Sequence, residues 1–175
     1  MLSERLKLDP IDKNIIKLIQ SEPNITHTEI ARRVGRSQPT VGLRIKRLED
    51  NHILDYQAGI NLKTADFYFS RIKIQTNHPE KVIELVKKCK LMLTAFRLSG
   101  KTNVIIIMVS PKIEFLDEVV NKFFRENVDI LNISMDIITD VISDVVLPVN
   151  FNVEECECCL KDKCIENLKN KELIK

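Results

Sequence analysis

The sequence predicts an α+β protein, in which a small helical domain precedes a domain of alternating strands and helices. Two observations lead to this prediction. Between residues 26 and 48, apolar residues recur at helical spacing on both sides of a glycine, which is typical of a helix-turn-helix. From residue 67 onward the periodicity follows the order strand, helix, strand, strand, helix, strand, which is typical of a βαββαβ ferredoxin-like domain.

The helix-turn-helix is expected to begin at Thr26, whose hydroxyl suits an N-cap, and Gly35 is expected to end its first helix. Ser37 or Gln38 opens the second helix. A further helix, starting at Pro10, is expected to support this pair. The second helix has apolar residues at i, i+4 and i+7 that predict one buried face, namely Val41, Ile45 and Leu48.

The segment after the helices changes period. Residues 53–60 predict a short hairpin with a turn around Asp55, at the place where the wing of a winged helix is expected. Residues 61–66 are polar and suit a linker. The sequence thus divides into a winged helix-turn-helix domain at 1–60, a linker at 61–66, a ferredoxin-like domain at 67–150 and a cysteine-rich tail at 151–175.

The second domain is expected to have one fully buried strand and one open face. The run V-I-I-I-M-V at 104–109 is so apolar that it predicts a central strand buried on both faces. Helices would cover only one face of the sheet, so the other face would expose apolar area, which favours a symmetric dimer. The last strand, at 130–142, is expected to bury Leu131, Ile133, Met135 and Ile137.

The charge distribution favours DNA as a partner. Residues 26–48 contain six Arg or Lys against one acid, whereas the whole chain has 27 basic and 25 acidic residues. Such local clustering is typical of phosphate binding, although a plain helical hairpin could also use basic residues only to solvate its surface. We expect Ser37, Gln38, Thr40 and Arg44 to face base edges and nearby phosphates, and Arg36, Lys46 and Arg47 to contact the DNA backbone.

No stretch of the sequence suggests a membrane or export. No apolar run approaches the roughly 20 residues that span a bilayer. The first ten residues lack the apolar core of a secretory signal. A cytoplasmic location is therefore expected.

The two regions together resemble the Lrp/AsnC family of prokaryotic transcription regulators. The resemblance extends over residues 8 to about 145, and it rests on L-D-P-I-D-K-N-I-I-K-L-I-Q, E-I-A-R-R-V-G-R-S-Q-P-T-V-G-L-R-I-K-R-L-E, H-I-L-D-Y-Q-A-G-I-N and L-S-G-K-T-N-V-I-I-I-M-V. It implies a winged-helix DNA reader joined to a ferredoxin-like effector domain. It also implies dimers that assemble further, often to octamers, and a response to amino acids. A dimer would present two reading helices to double-stranded DNA with a near-palindromic operator.

The resemblance also suggests an effector site that this chain alters. Amino-acid-responsive members are similar in having a glycine followed shortly by an acid in the turn after the second strand. Here Gly100 is present, but Asn103 stands near the position of the acid. An asparagine can accept a hydrogen bond from an ammonium group but brings no charge, which predicts weaker effector binding at Gly100 and Asn103.

The tail holds four cysteines within nine residues: Cys156, Cys158, Cys159 and Cys164. Dense cysteines in a cytosolic protein favour a metal or redox chemistry over structural disulfides, so zinc or an iron–sulfur cluster is a candidate cofactor. Reversible disulfides and a short amphipathic helix packed through Leu160, Cys164 and Leu168 are the alternatives.

Two other functions compete with DNA-binding regulation. Sirohaem decarboxylases resemble this arrangement of a winged helix-turn-helix and a ferredoxin-like domain, yet they are enzymes. An enzyme needs a cluster of acids, bases or ligands in a pocket. The three histidines, His27, His52 and His78, form no such cluster in the second domain, so no catalytic residues and no enzyme activity are predicted. A small-molecule or metal sensor that acts without binding DNA is the other alternative.

Overall fold

The computed structural model describes residues 6–149 and 160–169, with side chains up to residue 166 in the last segment. The chain divides into two compact units, with the boundary between Tyr56 and Gln57. Throughout these described stretches, every helix is too short or too polar to span a bilayer.

Three helices form the first unit, and their boundaries follow the local capping residues. They are α1 (Pro10–Ser21), α2 (His27–Val34) and α3 (Gln38–Asp50). Thr26 Oγ1 accepts the backbone N–H of Glu29, and Gly35 ends α2 in the left-handed conformation at φ 65°, which a glycine adopts without strain. The predicted helix-turn-helix is therefore confirmed, with a core of Ile15, Ile19, Ile30, Val41, Ile45 and Leu48.

The hairpin predicted for residues 53–60 was wrong. The described chain at 51–59 contains no strand, because the backbone N–H groups of Ile53 and Leu54 bond to the Leu48 carbonyl and hold the chain against the end of α3. Leu54 is buried in the helical core. The next strand, β1 (Ile60–Asn61), pairs instead with β6 (Val146–Leu147).

Gly59 allows this pairing because a side chain there would collide with the main chain opposite. A Cβ at Gly59 would lie 2.2 Å from the carbonyl oxygen of Leu147, a distance that no real contact allows. Leu62, inside the segment predicted as a linker, is buried. The division between the units therefore falls a few residues before the predicted linker at 61–66.

The second unit contains the expected ferredoxin-like sheet. Its strands lie in the order β3-β4-β2-β5 and every neighbouring pair is antiparallel. This is the strand order of the ferredoxin-like βαββαβ fold. The two strands of each βαβ unit are separated in the sheet by one strand of the other unit. The elements are β2 (Tyr68–Thr76), α4 (Pro79–Lys88), β3 (Met92–Arg97), β4 (Val104–Ser110), α5 (Ile113–Val120), a π-helical turn (Asn121–Arg125) and β5 (Ile130–Ile138).

One face of this sheet is buried against the helices, and a register shift changes which β5 residues face it. Thr76 pairs with Ile130 but Gln75 pairs with Asn132, so the ladder skips Leu131. Leu131 is consequently 57% exposed, and its predicted burial was wrong. The other predicted residues of β5 are half-buried and pack against the core: Ile133, Met135 and Ile137.

Among the described residues, the opposite face is covered only at one end, where Leu62, Phe69 and Val109 form a separate apolar cluster. Along β4 the residues facing the helices are buried, whereas Ile105 and Ile107 on the other face are half-buried. The prediction that this strand is buried on both faces was therefore correct only for the end of β4 beside this cluster.

A last helix, α6 (Lys161–Lys169), packs against the core of the sheet unit. Leu160, just before it, and Cys164, within it, join the same buried cluster as Leu116 and Phe124. Lys163 forms an ion pair with Glu118 of α5. The tail thus adds an amphipathic element to the helical layer of the sheet.

Candidate nucleic-acid interface

The turn before α3 presents polar groups that partly satisfy one another. Ser37 is the N-cap of α3, and its hydroxyl lies 2.8 Å from the hydroxyl of Thr40. Gln38 is exposed at the first turn of the helix. Arg36 is exposed in the turn, and its Nη1 donates to the Gly35 carbonyl at 2.9 Å. A ligand approaching this end of α3 would therefore meet Arg36 and Gln38 directly.

Arg44 of α3 points toward α1 rather than away from the unit. Its Nη1 lies 2.6 Å from Asp9 Oδ2 and 2.8 Å from Asp12 Oδ1, and Arg47 Nη2 lies 2.5 Å from Asp12 Oδ2. The Asp12 side chain is only 1% exposed. Asp9 and Asp12 also cap α1, since each accepts the backbone N–H of the other. This cluster of four charged residues joins α3 to α1.

The pKa values within this cluster follow from its hydrogen bonds. The backbone N–H of Asp12 and then the Arg44 guanidinium lower the pKa of Asp9 from 3.8 to about 2. Hydrogen bonds to Asp9 and Asp12 raise the pKa of Arg44. Asp9 therefore stays charged well into acidic conditions.

Two further basic residues, both on α2, are also paired with acids. Arg33 lies 2.5 Å from Glu22 and 2.7 Å from Glu29, and Arg32 lies 2.6 Å from Glu29. The Arg32 and Arg33 hydrogen bonds lower the pKa of Glu29 to about 2. The net positive charge of residues 26–48 is therefore partly neutralised in the folded unit. Asp9, Asp12 and Glu22 lie outside this stretch of sequence but form ion pairs with its arginines.

The remaining positive charge lies on the turn and on the exposed side of α3. Within the described part of the chain, Arg36 and Lys46 form no ion pair, and Arg47 is half exposed at 52% despite its contact with Asp12. Leu43 lies beside them on α3 and is 72% exposed. The sequence analysis did not identify Leu43 as a surface residue of interest. Its position outside the i, i+4, i+7 apolar stripe already indicated that it would be exposed.

The predicted effector residues lie in the turn between β3 and β4, where Asn103 has a structural partner. Asn103 Oδ1 accepts the Thr76 N–H at 3.0 Å, and its Nδ2 donates to the Thr76 carbonyl at 2.6 Å. The amide group therefore extends the hydrogen bonding between β4 and β2. Gly100 does not have a positive φ, and a Cβ there would meet only the Thr102 carbonyl oxygen at 3.8 Å.

The predicted metal ligands are only partly described. Cys156, Cys158 and Cys159 lie outside the described residues. Cys164 is 1% exposed and packs with Leu160 among core residues. Over residues 6–149 and 160–169, no three His, Cys, Asp or Glu side chains are grouped so that they could hold a metal ion. Metal binding by the four cysteines stays a prediction.

Comparison with known proteins defines the class of the first unit. Residues 8–55 match the winged helix-turn-helix DNA-binding family. The chain is 30% identical over 125 residues to the HTH-type transcriptional regulator Ptr1 of Methanocaldococcus jannaschii, covering 69% of this chain and 82% of Ptr1. It is 32% identical over 84 residues to the regulator LrpA of Pyrococcus horikoshii, covering 47% of this chain and 60% of LrpA. The first unit is thus a winged helix-turn-helix of the DNA-binding class.

Solved structures extend the likeness to the whole architecture. A transcriptional regulator of Neisseria meningitidis, NMB0573 in complex with L-Met, superposes with a TM-score of 0.70 at 21% identity, covering 82% of this chain and 97% of that one. Escherichia coli AsnC superposes with a TM-score of 0.68 at 16% identity, covering 79% and 97%. The chain belongs to the Lrp/AsnC family of HTH-type transcription regulators. The sirohaem decarboxylase alternative is set aside, because the curated proteins named above that this chain resembles are transcription regulators.

Proposed function

We propose that this protein regulates transcription by binding double-stranded DNA sequence-specifically through α3 and the turn before it. The observation that supports this most strongly is that the turn before α3 and the exposed side of α3 carry cations without an acidic partner. Arg36 and Lys46, which have no ion pair in the described residues, lie at the turn and on the exposed side of α3, with Arg47 nearby. Phosphate neutralisation needs such available cations. A DNA target implies a cytoplasmic protein.

The proposal assigns different roles to the residues predicted from the sequence. Gln38, exposed at the start of α3, is proposed to read base edges, with Ser37 and Thr40 contacting bases or nearby phosphates. Arg36, Lys46 and Arg47 would bind the backbone. Arg44 is proposed as a positioning residue, because its guanidinium is occupied by Asp9 and Asp12.

A homodimer that reads a near-palindromic operator, with the octamer as a further assembly, is part of the same proposal. Its support is the sheet face that none of the described helices covers, where Phe96 is 53% exposed and Ile105 and Ile107 are half-buried. Beside them Arg71 lies 2.7 Å from Asp136. A face with apolar residues and paired opposite charges is suited to a second copy related by a two-fold axis.

DNA binding is tested by replacing Arg36 and Lys46, the two cations of the turn and of α3 that have no ion pair in the described residues. Arg36→Ala and Lys46→Ala should each weaken binding to duplexes selected by the wild-type protein from a random library, and each should reduce the slope of log K against log salt by about one. Lys87→Ala, an exposed lysine of the sheet unit, is the matched control. If the wild-type protein selects no duplex, the proposal fails and the sensor that acts without DNA takes its place.

The signal that controls binding has two candidates. The first is an amino acid at the Gly100 turn. The Neisseria regulator is described as an L-Met complex, and Gly100 is exposed in the turn. Asn103 offers little to such a ligand, since both ends of its amide bind Thr76.

The second candidate is a metal ion or a change of redox state at Cys156, Cys158, Cys159 and Cys164. The density of these cysteines in the sequence supports it. Purification without oxygen, followed by zinc, iron and sulfide analysis, tests the metal. DNA binding by reduced and oxidised samples tests the switch, with a Cys156, Cys158 and Cys159 triple serine variant as the comparison. If the reduced, oxidised and triple serine samples all bind DNA with equal affinity, the amino acid is left as the candidate signal.

A further inference from the structure

Leu43 is an apolar side chain exposed on a helix whose other aliphatic residues are buried. It is 72% exposed, whereas Val41, Ile45 and Leu48 of the same helix are at most 2% exposed. No other large apolar side chain of α1, α2 or α3, all of them fully described, is as exposed. A scattered exposed leucine is ordinary on a protein surface, so its position on the helix decides whether it matters.

The position of Leu43 is the centre of the exposed side of α3. At 3.6 residues per turn, it lies roughly 200° around the axis from both Val41 and Ile45. Its neighbours on this side, at i−4, i+3 and i+4, are Pro39, Lys46 and Arg47, all exposed. The face opposite the core therefore has an apolar centre bordered by cations.

This combination fits a nucleic acid better than an apolar protein partner. Lys46 and Arg47 would have to be desolvated against an apolar protein surface, whereas on DNA they would approach phosphates. In the major groove, the apolar group on the base edges of unmodified DNA is the C5-methyl of thymine. A leucine between phosphate-binding cations would therefore be placed against that methyl group.

We infer that Leu43 contacts a thymine methyl group in the major groove and makes the protein prefer thymine at one position of each half-site. The inference rests on the proposed DNA binding and deepens it. Arg36, Lys46 and Arg47 supply affinity for any duplex, whereas Leu43 distinguishes one base pair from the others by shape and apolarity, without a hydrogen bond.

The experiment replaces thymine by uracil, which removes the methyl group and leaves base pairing unchanged. Duplexes selected by the wild-type protein are synthesised with uracil at each thymine in turn, and their affinity is measured for wild type, Leu43→Ala and Leu43→Met. Alanine is a good helix former and Leu43 is exposed, so Leu43→Ala should keep its fold. Leu131→Ala makes the same change at an exposed leucine of the sheet unit and serves as the control.

The inference predicts that uracil at one position per half-site weakens wild-type binding about fourfold, the effect of one lost methyl contact. Leu43→Ala should bind the thymine duplex at least about fourfold more weakly and be insensitive to uracil at that position, whereas Leu43→Met should keep part of the sensitivity. Equal uracil effects in wild type and Leu43→Ala, or full affinity of Leu43→Ala, would overturn the inference while leaving DNA binding intact. Failure of the wild-type protein to select any duplex would overturn both proposals.

Discussion

The guanidinium of Arg44 on α3 lies 2.8 Å from the buried carboxylate of Asp12 on α1. Asp12 cannot be hydrated, since its side chain is 1% exposed, and Arg44 and Arg47 are its two cationic partners. The same carboxylate caps α1 by accepting the Asp9 N–H. One buried acid thus takes part both in the capping box of α1 and in the ion pairs between α1 and α3.

We expect Arg44→Ala to destabilise the helical unit, because it leaves a buried carboxylate with one cation instead of two. Breaking a buried ion pair costs about 3–5 kcal/mol, and since Arg47 still contacts Asp12 we expect a loss of about 2 kcal/mol in the free energy of unfolding. Thermal and denaturant unfolding followed by circular dichroism measure it. Lys46→Ala is the control and should change stability by less than about 0.5 kcal/mol. Weaker DNA binding by Arg44→Ala with unchanged stability would instead assign Arg44 to the DNA.

Asn103 should behave as a structural residue of the β3–β4 turn. Asn103→Ala removes both hydrogen bonds to the Thr76 main chain, which lies in a residue only 3% exposed, and should cost about 1–3 kcal/mol of unfolding free energy. Asn103→Asp should also destabilise, because a carboxylate cannot donate to the Thr76 carbonyl. Lys101→Ala, in the same turn and exposed, should be neutral.

Calorimetric titration of Asn103→Asp with amino acids provides the second measurement. A gain of affinity together with unchanged stability would mean that residue 103 faces a ligand and not Thr76. Lost stability without a gain of affinity is the expected result.

Stability should fall in acid as the ion pairs of the helical unit are lost. The folded pKa values of Asp9 and Glu29 are lowered to about 2, from 3.8 and 4.5. A lowered folded pKa means that the stabilisation is complete above the unfolded value and is lost as pH falls toward the folded value. The free energy of unfolding should therefore decline between about pH 4.5 and pH 2.

Asp9→Asn isolates one contribution to this decline, because asparagine remains a good N-cap but does not titrate. Its unfolding free energy should depend less steeply on pH over that interval than the wild-type value. Glu114→Gln, on an exposed position of α5 and so outside the helical unit, is the control. Identical slopes for wild type and Asp9→Asn would contradict the role given to Asp9.

The last helix and the residue before it should stabilise the sheet unit through the buried side chains of Leu160 and Cys164. Leu160→Ala removes a side chain that is 7% exposed in the core, and we expect a loss of about 2 kcal/mol or more. Asp162→Ala, exposed on the same helix, is the control. Alkylation followed by mass spectrometry should modify Cys164 only as the protein unfolds, since its side chain is 1% exposed. Rapid alkylation in the native protein would show that the helix does not stay packed.

Prediction from sequence succeeded where the signal was local. The caps at Thr26 and Ser37, the left-handed Gly35 and the order of strands and helices depend on neighbouring residues and on periodicity. It failed at Leu131, because a register shift in the pairing of β2 with β5 is not encoded in the alternation of β5 alone. It failed for the hairpin at 53–60, because Ile60 pairs with Leu147, far along the chain.

The sequence by itself determined the class of this protein: a helix-turn-helix with a basic reading helix, followed by a split βαβ domain. Only the tertiary structure decided which cations are available to DNA. Counting charges between residues 26 and 48 treats every Arg and Lys as free, but folding brings Asp9, Asp12 and Glu22 against three of them. Because Coulomb energy depends on distance in space and not along the chain, Arg36 and Lys46 are identified as cations without an acidic partner in the described residues only once the helices are packed.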